Sequence, residues 1–391
     1  MKIAFAMINC NRREGTARAV SEVAERLASR HEVHLFARKA EDIRLDLLQW
    51  HKIPGPAWPQ AADFASYRFV SSSLLSRGRF DIVHSIGCNA RAADVITIQN
   101  IQPAKKRILD KLAAGERISL PRRFTRWLYQ KNTGAAEKQL YTHGEGRLPP
   151  FFLAASRGAA EDLRSHYDIG PARVRVVPNA ADLDIFKGAS EEKRRSWRRL
   201  NGISFTDVLL MFCGGDWTRK GLDYAIRALA LIERPDVKLF VAGDDPNRAR
   251  FRTLAHACGV AERVLFGGFR KDIADALAAS DLFLFPSWYE AFSLATIEAA
   301  ACCLPVVATR INGAEDFIQP GRTGEFIEHD PGKIAAVLKP LIRDASRRRW
   351  LGANARRSVE ENYTWERVAA LTESAYHEHL ELARSKGVAK Y

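Results

Sequence analysis

Two short stretches hold the residue types needed for chemistry on a charged, hydroxyl-rich ligand. The first is 286–299, Pro-Ser-Trp-Tyr-Glu-Ala-Phe-Ser-Leu-Ala-Thr-Ile-Glu-Ala, with seven residues between Glu290 and Glu298. A strand-length apolar run ends at Pro286, and a helical pattern begins near Phe292 to Leu294. Ligands of open α/β sheets bind beyond the carboxyl ends of the strands. Glu290 would stand in that loop and accept hydrogen bonds from ligand hydroxyls. The backbone N–H groups of Phe292, Ser293 and Leu294 would be the unpaired donors of a helix start, which suit a phosphate. Glu298, about one turn into the helix, would reach a diol. The second stretch is 214–221, Gly-Gly-Asp-Trp-Thr-Arg-Lys-Gly, again between a strand and a helix. Gly214 and Gly215 let backbone approach a ligand, and Arg219 with Lys220 can offset a diphosphate. Negative charge grows on a departing diphosphate, so fixed cations there favour the transition state over the ground state.

The elements that must position these groups follow an α/β alternation. Residues 2–8 read as a buried strand, 12–16 as a glycine-bearing loop, and 17–29 as a helix with Ala17, Val20, Val23, Ala24 and Leu27 near the 3.6-residue period. A strand at 32–37 completes a unit of a doubly wound sheet. Further strands are expected at 81–85, 94–99, 151–155 and 174–179. After Lys187 the alternation restarts, with strands at 208–213, 238–242, 264–266, 282–285 and 306–308. Helices are expected between them at 222–232, 249–258, 273–279 and 294–302. The boundaries expected are 1–180 and 181–365 for two Rossmann-like domains, with a helix at 366–391 packing back on the first. A chain of 391 residues is long enough for two cores.

Composition narrows the class. Apolar residues make up 47% and charged residues 27%, as in water-soluble globular chains. No apolar run approaches the roughly 20 residues that span a bilayer, and no secretory leader pattern is read at the start, so a cytoplasmic location is expected. The six cysteines form no Cys-x-x-Cys pair and read as small buried apolar groups. The net charge is +14, and half of that excess lies in 105–147, where eleven basic residues face four acidic ones. Ile108, Leu112, Phe124, Trp127, Leu128 and Tyr129 are interleaved with them. Two readings stand for this basic amphipathic segment: a solvated helix pair capping the domain, or a surface that docks on anionic lipid headgroups. Nucleic acid is set aside because no recognition motif accompanies the charge.

The motifs together resemble the retaining glycosyltransferases of family GT4. The family's C-terminal signature is matched by Pro286, Ser287, Glu290, Phe292, Glu298 and Ala299, then by 304–309 (Leu-Pro-Val-Val-Ala-Thr) and by Gly313 with Glu315. Its Lys-Gly loop matches 219–221, its inter-domain motif matches Pro178, Asn179, Asp182 and Phe186, and its Asp-apolar-Val-His strand matches 81–84. The look is most similar to lipopolysaccharide core glucosyltransferases. The resemblance implies the GT-B fold, in which two Rossmann-like domains face a central cleft. It implies a nucleotide-diphosphate sugar, UDP-glucose by family habit, as donor, and a glycan or lipid-linked acceptor, with no cofactor and no metal. Arg219 and Lys220 would hold the diphosphate, Glu290 the transferred sugar and Glu298 the ribose. Gly15, Gly215, Phe292, Ser293, Leu294 and Arg270 complete the implied donor site. His84 is either a cleft-lining group or a satisfied structural histidine, and Asn100 either an acceptor or a donor-sugar contact. Departures are Ser293, Ala180 and Cys303 at glycine positions, and Gln99-Asn100 where relatives carry a His or Asp base. A same-fold nucleotide-sugar epimerase and a non-catalytic sugar-nucleotide-binding protein are the alternatives.

Overall fold

The computed structural model describes all residues except 57, 114–119, 143–147 and 388–391, and leaves aside the side chains of 113 and 120–123. The chain divides into two compact units, 1–179 with 365–391, and 180–364.

The first unit is built on a parallel sheet. Its strands are β1 (Lys2–Ala6), β3 (Glu32–Ala37), β5 (Gln49–Lys52), β6 (Ile82–Ile86), β7 (Val95–Ile98), β8 (Phe151–Ala154) and β9 (Val174–Val176). They lie in the order β5-β3-β1-β6-β7-β8-β9. A two-residue ladder of β2 (Asn9–Cys10) and β4 (Lys39–Ala40) flanks it. The first strand stops at Ala6, two residues earlier than expected, because the chain turns there to form that ladder. The edge strand β5 and the helix Gln60–Arg77 were not legible in the sequence. Gln-Trp-His-Lys at an edge carries no apolar run, and the helix mixes polar and apolar residues around its circumference.

The helix Trp365–Ser385 belongs to this first unit. It buries Trp365, Val368 and Tyr376. Along its length Glu366 pairs with Arg26 at 2.9 Å, Glu373 with Arg30 at 2.7 Å and with His31 at 2.5 Å, and Glu378 with Arg175. Within the sheet, His84 lies in the middle of β6, fully buried. Its Nδ1 is 2.6 Å from the Tyr376 hydroxyl and its Nε2 is 2.7 Å from Thr97 Oγ1. The basic segment forms the helices Gln102–Ala113 and Leu120–Thr142. Glu137 ties them together by accepting from the Gln102 N–H at 3.0 Å and from the Tyr167 hydroxyl at 2.6 Å. Burial pushes the Glu137 carboxyl up to about 7 against those two hydrogen bonds. On the second helix Phe124 and Trp127 are exposed, with their ring centroids 5.9 Å apart and Lys131 Nζ 5.1 Å from the Trp127 ring. Arg117 and Arg147 lie outside the described residues.

The second unit carries β10 (Val208–Cys213), β11 (Val237–Ala242), β12 (Val264–Gly268), β13 (Leu282–Phe285), β14 (Val306–Thr309) and β15 (Gly324–Ile327). All pair in parallel, in the order β12-β11-β10-β13-β14-β15. That order is the doubly wound one, with chain direction across the sheet reversing between β10 and β13. Val-Leu-Leu-Met-Phe-Cys and Leu-Phe-Leu-Phe are buried at every position because helices cover both faces. One core packs Leu210, Phe212, Leu239 and Leu284 against Leu222, Ile226 and Leu229 of one helix and Leu338 of another. The short strand β15 was not expected, since four residues ending a loop give no periodic signal.

Burial holds the folded-state pKa of His84 down at about 3, below its ordinary 6.5. A depressed histidine stabilises the fold fully above the unfolded value, and that contribution is lost as pH falls through the folded value. The urea midpoint of the wild type should therefore fall more steeply between pH 7 and pH 4 than that of His84→Gln. Equal slopes would show that His84 does not set this dependence.

Candidate active site

The reversal point of the second sheet brings two loops together. β10 and β13 are neighbours, so the loop 214–221 and the loop 286–293 leave the same carboxyl edge side by side. Close packing of the loops requires glycine at two places. A Cβ on Gly221 (φ 74°) would sit 2.0 Å from the Pro286 carbonyl oxygen, and one on Gly214 (φ 119°) would sit 2.5 Å from Lys220 Cε. Gly215 lies against the end of β11, 3.0 Å separating its would-be Cβ from the Asp244 carbonyl. The Trp288 N–H donates to the Arg219 carbonyl at 2.9 Å and stitches the loops through their backbones.

Glu290 is the junction. Its Oε1 accepts from Arg219 Nη1 at 2.8 Å, from Lys220 Nζ at 2.9 Å and from Ser287 Oγ at 3.4 Å. The same Nη1 donates to the Tyr289 carbonyl at 2.6 Å, and Arg219 Nε donates to Asp216 Oδ2 at 2.8 Å. Lys220 also lies 4.5 Å from the centroid of the Phe285 ring. Burial would raise the Glu290 pKa, but the charges of Lys220 and Arg219 outweigh it and hold it below the usual carboxylate range. Burial likewise works against the charge on Arg219, and Glu290 with Asp216 more than restores it. The site thus holds one carboxylate between two basic side chains. The sequence predicts Glu290 as a loop acid open to ligand hydroxyls; in the structure it is a half-sequestered counter-ion that shares one oxygen between two basic side chains.

The helix after this loop runs from Leu294 to Ala301, starting at the late end of the expected range 292–294. Ser293 is its N-cap, and its Oγ accepts from the Thr296 N–H at 3.3 Å. The serine thus takes up one first-turn donor of the helix itself, which glycine at that position would leave open. Leu294 and Ala295 supply the first-turn N–H groups ahead of Thr296. Phe292 precedes the helix and is buried, with its ring 5.6 Å from that of Tyr363. Glu298 is buried as well, not set on the helix surface, and after burial its charge helps push the Cys213 thiol up, at the end of β10.

The remaining named residues stand elsewhere. Arg270 follows β12, the edge strand two places from β10, and pairs with Asp272 at 2.7 and 2.5 Å while its guanidinium lies over Trp197. Gly15, His84 and Asn100 belong to the other unit. Gly15 is the first residue of the helix Gly15–Leu27 instead of part of the preceding loop. Asn100 Oδ1 accepts from Gln102 Nε2 at 3.5 Å, and Gln99 Nε2 donates to Asn179 Oδ1 at 3.3 Å. A cavity of about 30 Å³ inside that unit is lined by Phe5, His84, Thr97, Gln99, Asn179 and Thr372, among others. Sequence reasoning passed over Asp216 and the Tyr289 carbonyl. An Asp in a Gly-Gly-Asp-Trp turn was the one available signal for the first, and a backbone acceptor leaves none.

Family models match both halves of the chain. Residues 13–185 match the model for glycosyltransferase family 4, and residues 193–358 match the model for glycosyl transferases group 1. The chain belongs to the group 1/family 4 glycosyltransferases. A D-inositol 3-phosphate glycosyltransferase of Xylanimonas cellulosilytica is 33% identical over 234 residues, 57% of this chain and 56% of that protein. The lipopolysaccharide glucosyltransferase WaaG of Escherichia coli is 30% identical over 221 residues, 55% of this chain and 59% of that protein. The matched region thus spans a little over half the length of these curated relatives. A crystal structure of WaaG superposes with a TM-score of 0.78 at 25% identity, covering 95% of this chain and 98% of that one. The architecture of this glycosyltransferase is the GT-B fold, with two Rossmann-like halves. Anabaena HepE, solved with UDP and glucose, shares the fold with a TM-score of 0.74 at 17% identity over 97% of this chain and 100% of that one.

Removing Glu290 would leave Arg219 and Lys220 partly buried without their shared counter-ion. Breaking such a pair costs about 3–5 kcal/mol when it is fully buried, and somewhat less at this exposure. Glu290→Ala is expected to lower the melting temperature, and pyrophosphate to raise it more in the variant than in the wild type. An equal rise in both would mean that the two cations are not the anion site.

Proposed function

We propose that the protein is a retaining glycosyltransferase that moves a hexose from a nucleotide-diphosphate sugar to a lipid-linked or cell-envelope glycan such as lipopolysaccharide core. The observation that carries this reading is the Arg219–Lys220–Glu290 cluster at the reversal point of the second sheet. Two fixed cations and a helix start match a diphosphate, and the carboxylate beside them matches sugar hydroxyls. Glu298 is assigned to the ribose. UDP-glucose as donor is supported by HepE, whose structures hold UDP and glucose or UDP-glucose. The lipopolysaccharide acceptor is supported by the similarity to WaaG along nearly the whole chain.

In this mechanism the bond between the sugar C1 and the diphosphate oxygen breaks, and its electron pair goes to the diphosphate. Arg219 and Lys220 receive that charge without rearranging. The acceptor hydroxyl bonds to C1 on the same face, and its proton passes to the departing phosphate oxygen. This route needs no protein base, which suits Gln99 and Asn100, since neither amide can take a proton at neutral pH. With both cations supplied by the protein, the reaction is proposed to run without a metal or other cofactor. Lys220→Ala and Glu290→Ala should each reduce turnover of UDP-glucose by about 10²–10³-fold, and the wild type should keep full activity in excess chelator. Unchanged turnover in both variants would remove this site. Loss in chelator restored only by a divalent ion would remove the metal-free mechanism.

We place the protein in the cytoplasm, at the inner face of the membrane, held through 105–147. Phe124 and Trp127 are exposed beside Lys131, as expected of an interfacial surface that pairs aromatic rings with basic charge. Among the described residues no helix is long and apolar enough to cross a membrane. The wild type should sediment with vesicles rich in anionic lipid, and Phe124→Ser with Trp127→Ser should weaken this about tenfold or more. Absence of sedimentation at every salt concentration would overturn the docking.

A further inference from the structure

Asp216 has a backbone conformation and a set of contacts that the donor-site roles above do not account for. It has a φ of 53°, in the left-handed region, one of four non-glycine residues there among the described residues. Such a conformation is uncommon outside glycine, although Asp and Asn adopt it most readily. An observed outlier of this kind in a ligand loop is a reason to look for a role. Asp216 meets the Arg219 guanidinium with its side chain and the backbone N–H groups of Arg219 and Lys220 with its remaining oxygens. Its Oδ2 accepts from Arg219 Nε at 2.8 Å, its Oδ1 accepts from the Arg219 N–H at 3.4 Å, and its backbone carbonyl accepts from the Lys220 N–H at 3.0 Å. Arg219 is therefore gripped from both sides. Asp216 takes Nε, while the Tyr289 carbonyl and Glu290 take Nη1. The corner left out of these contacts is Nη2, which is the natural point of contact for an incoming phosphate oxygen.

An acidic side chain beside a diphosphate site opposes ligand binding by like charge. Asp216 is 55% exposed at its side chain, so solvent screens much of that repulsion. Its bond to Nε is directional and is not screened in the same way. An exposed ion pair of this spacing contributes little to stability. Its backbone geometry and its grip on Arg219 point to function instead.

We infer that Asp216 is a positioning residue that aims the Arg219 guanidinium, with Nη2 outward, at the donor diphosphate. This rests on the donor-diphosphate role proposed for Arg219. Asp216 does not touch the reacting atoms; it acts through Arg219. Its backbone and side-chain contributions are separable, because Gly and Asn both accept the left-handed conformation. Asn also keeps an acceptor oxygen for Nε, and Gly keeps none.

The test compares wild type, Asp216→Asn, Asp216→Gly and Asp216→Ala. UDP affinity is read by calorimetry, kcat and KM for UDP-glucose by turnover, and fold integrity by melting temperature. Asp216→Gly should melt like the wild type yet lose about 10- to 100-fold in kcat, the scale expected when a catalytic group is misaimed. Asp216→Asn should recover most of that loss, with an unchanged or lower KM because the repulsive charge is gone. Asp216→Ala should show the kinetic loss of Gly together with a lower melting temperature. Wild-type kcat and UDP affinity in Asp216→Gly, or an Asn variant as slow as Gly, would overturn the inference while leaving the donor site standing. A wild type that neither binds UDP nor turns over UDP-glucose would remove the donor reading and this inference with it.

Discussion

One carboxylate oxygen holds the candidate site together. Glu290 Oε1 is shared by Arg219 and Lys220, which come from a loop 70 residues earlier in the chain. Without that anion, two cations would lie partly buried within one short loop and repel each other. With it, the loop after β10 and the loop after β13 become a single body, further joined by the Trp288 N–H and the Tyr289 carbonyl. A buried charge group of this kind adds little net stability compared with apolar packing, yet it is costly to break. It fixes where the positive charge stands before any ligand arrives, as preorganised electrostatic catalysis demands.

The sheet beneath makes that junction possible. β10 and β13 are adjacent only because the chain winds outward from β10 in one direction and then returns to its other side. The strands are apolar at every position, so their register is held by packing on both faces. The polar chemistry is thereby confined to the loops at one edge. Ser293 shows how local the remaining adjustments are. Its hydroxyl spends itself on the Thr296 N–H, so the first-turn N–H groups ahead of that capped one are those of Leu294 and Ala295.

The first unit solves a different problem. Its sheet is closed over by a helix contributed from the far end of the chain, with charged pairs at Glu366, Glu373 and Glu378 outside and the Tyr376–His84 bond inside. The neutral, doubly bonded His84 ties that helix to the centre of the sheet through Thr97 on the neighbouring strand. The helix Leu120–Thr142 is joined to the same unit by Ala136, Leu140 and Tyr141 in its apolar core and by the buried Glu137.

By itself the sequence determined the α/β alternation, the two-unit division near Asn179 and the two chemistry-bearing loops. Long buried strands and glycine-rich turns leave local signals of composition and period. Arg219, Lys220 and Glu290 were readable as candidates because their loops sit between recognisable elements. Only the tertiary structure decided that Glu290 is a counter-ion to both cations, since strand adjacency across 70 residues has no local signature. It also made Ser293 the N-cap of the following helix, set Arg270 apart with Asp272, and buried His84 within β6. Each of these depends on which neighbour a polar atom finds once the strands are packed. Asp216 belongs to the same class: its left-handed backbone and its hold on Arg219 follow from the folded loop.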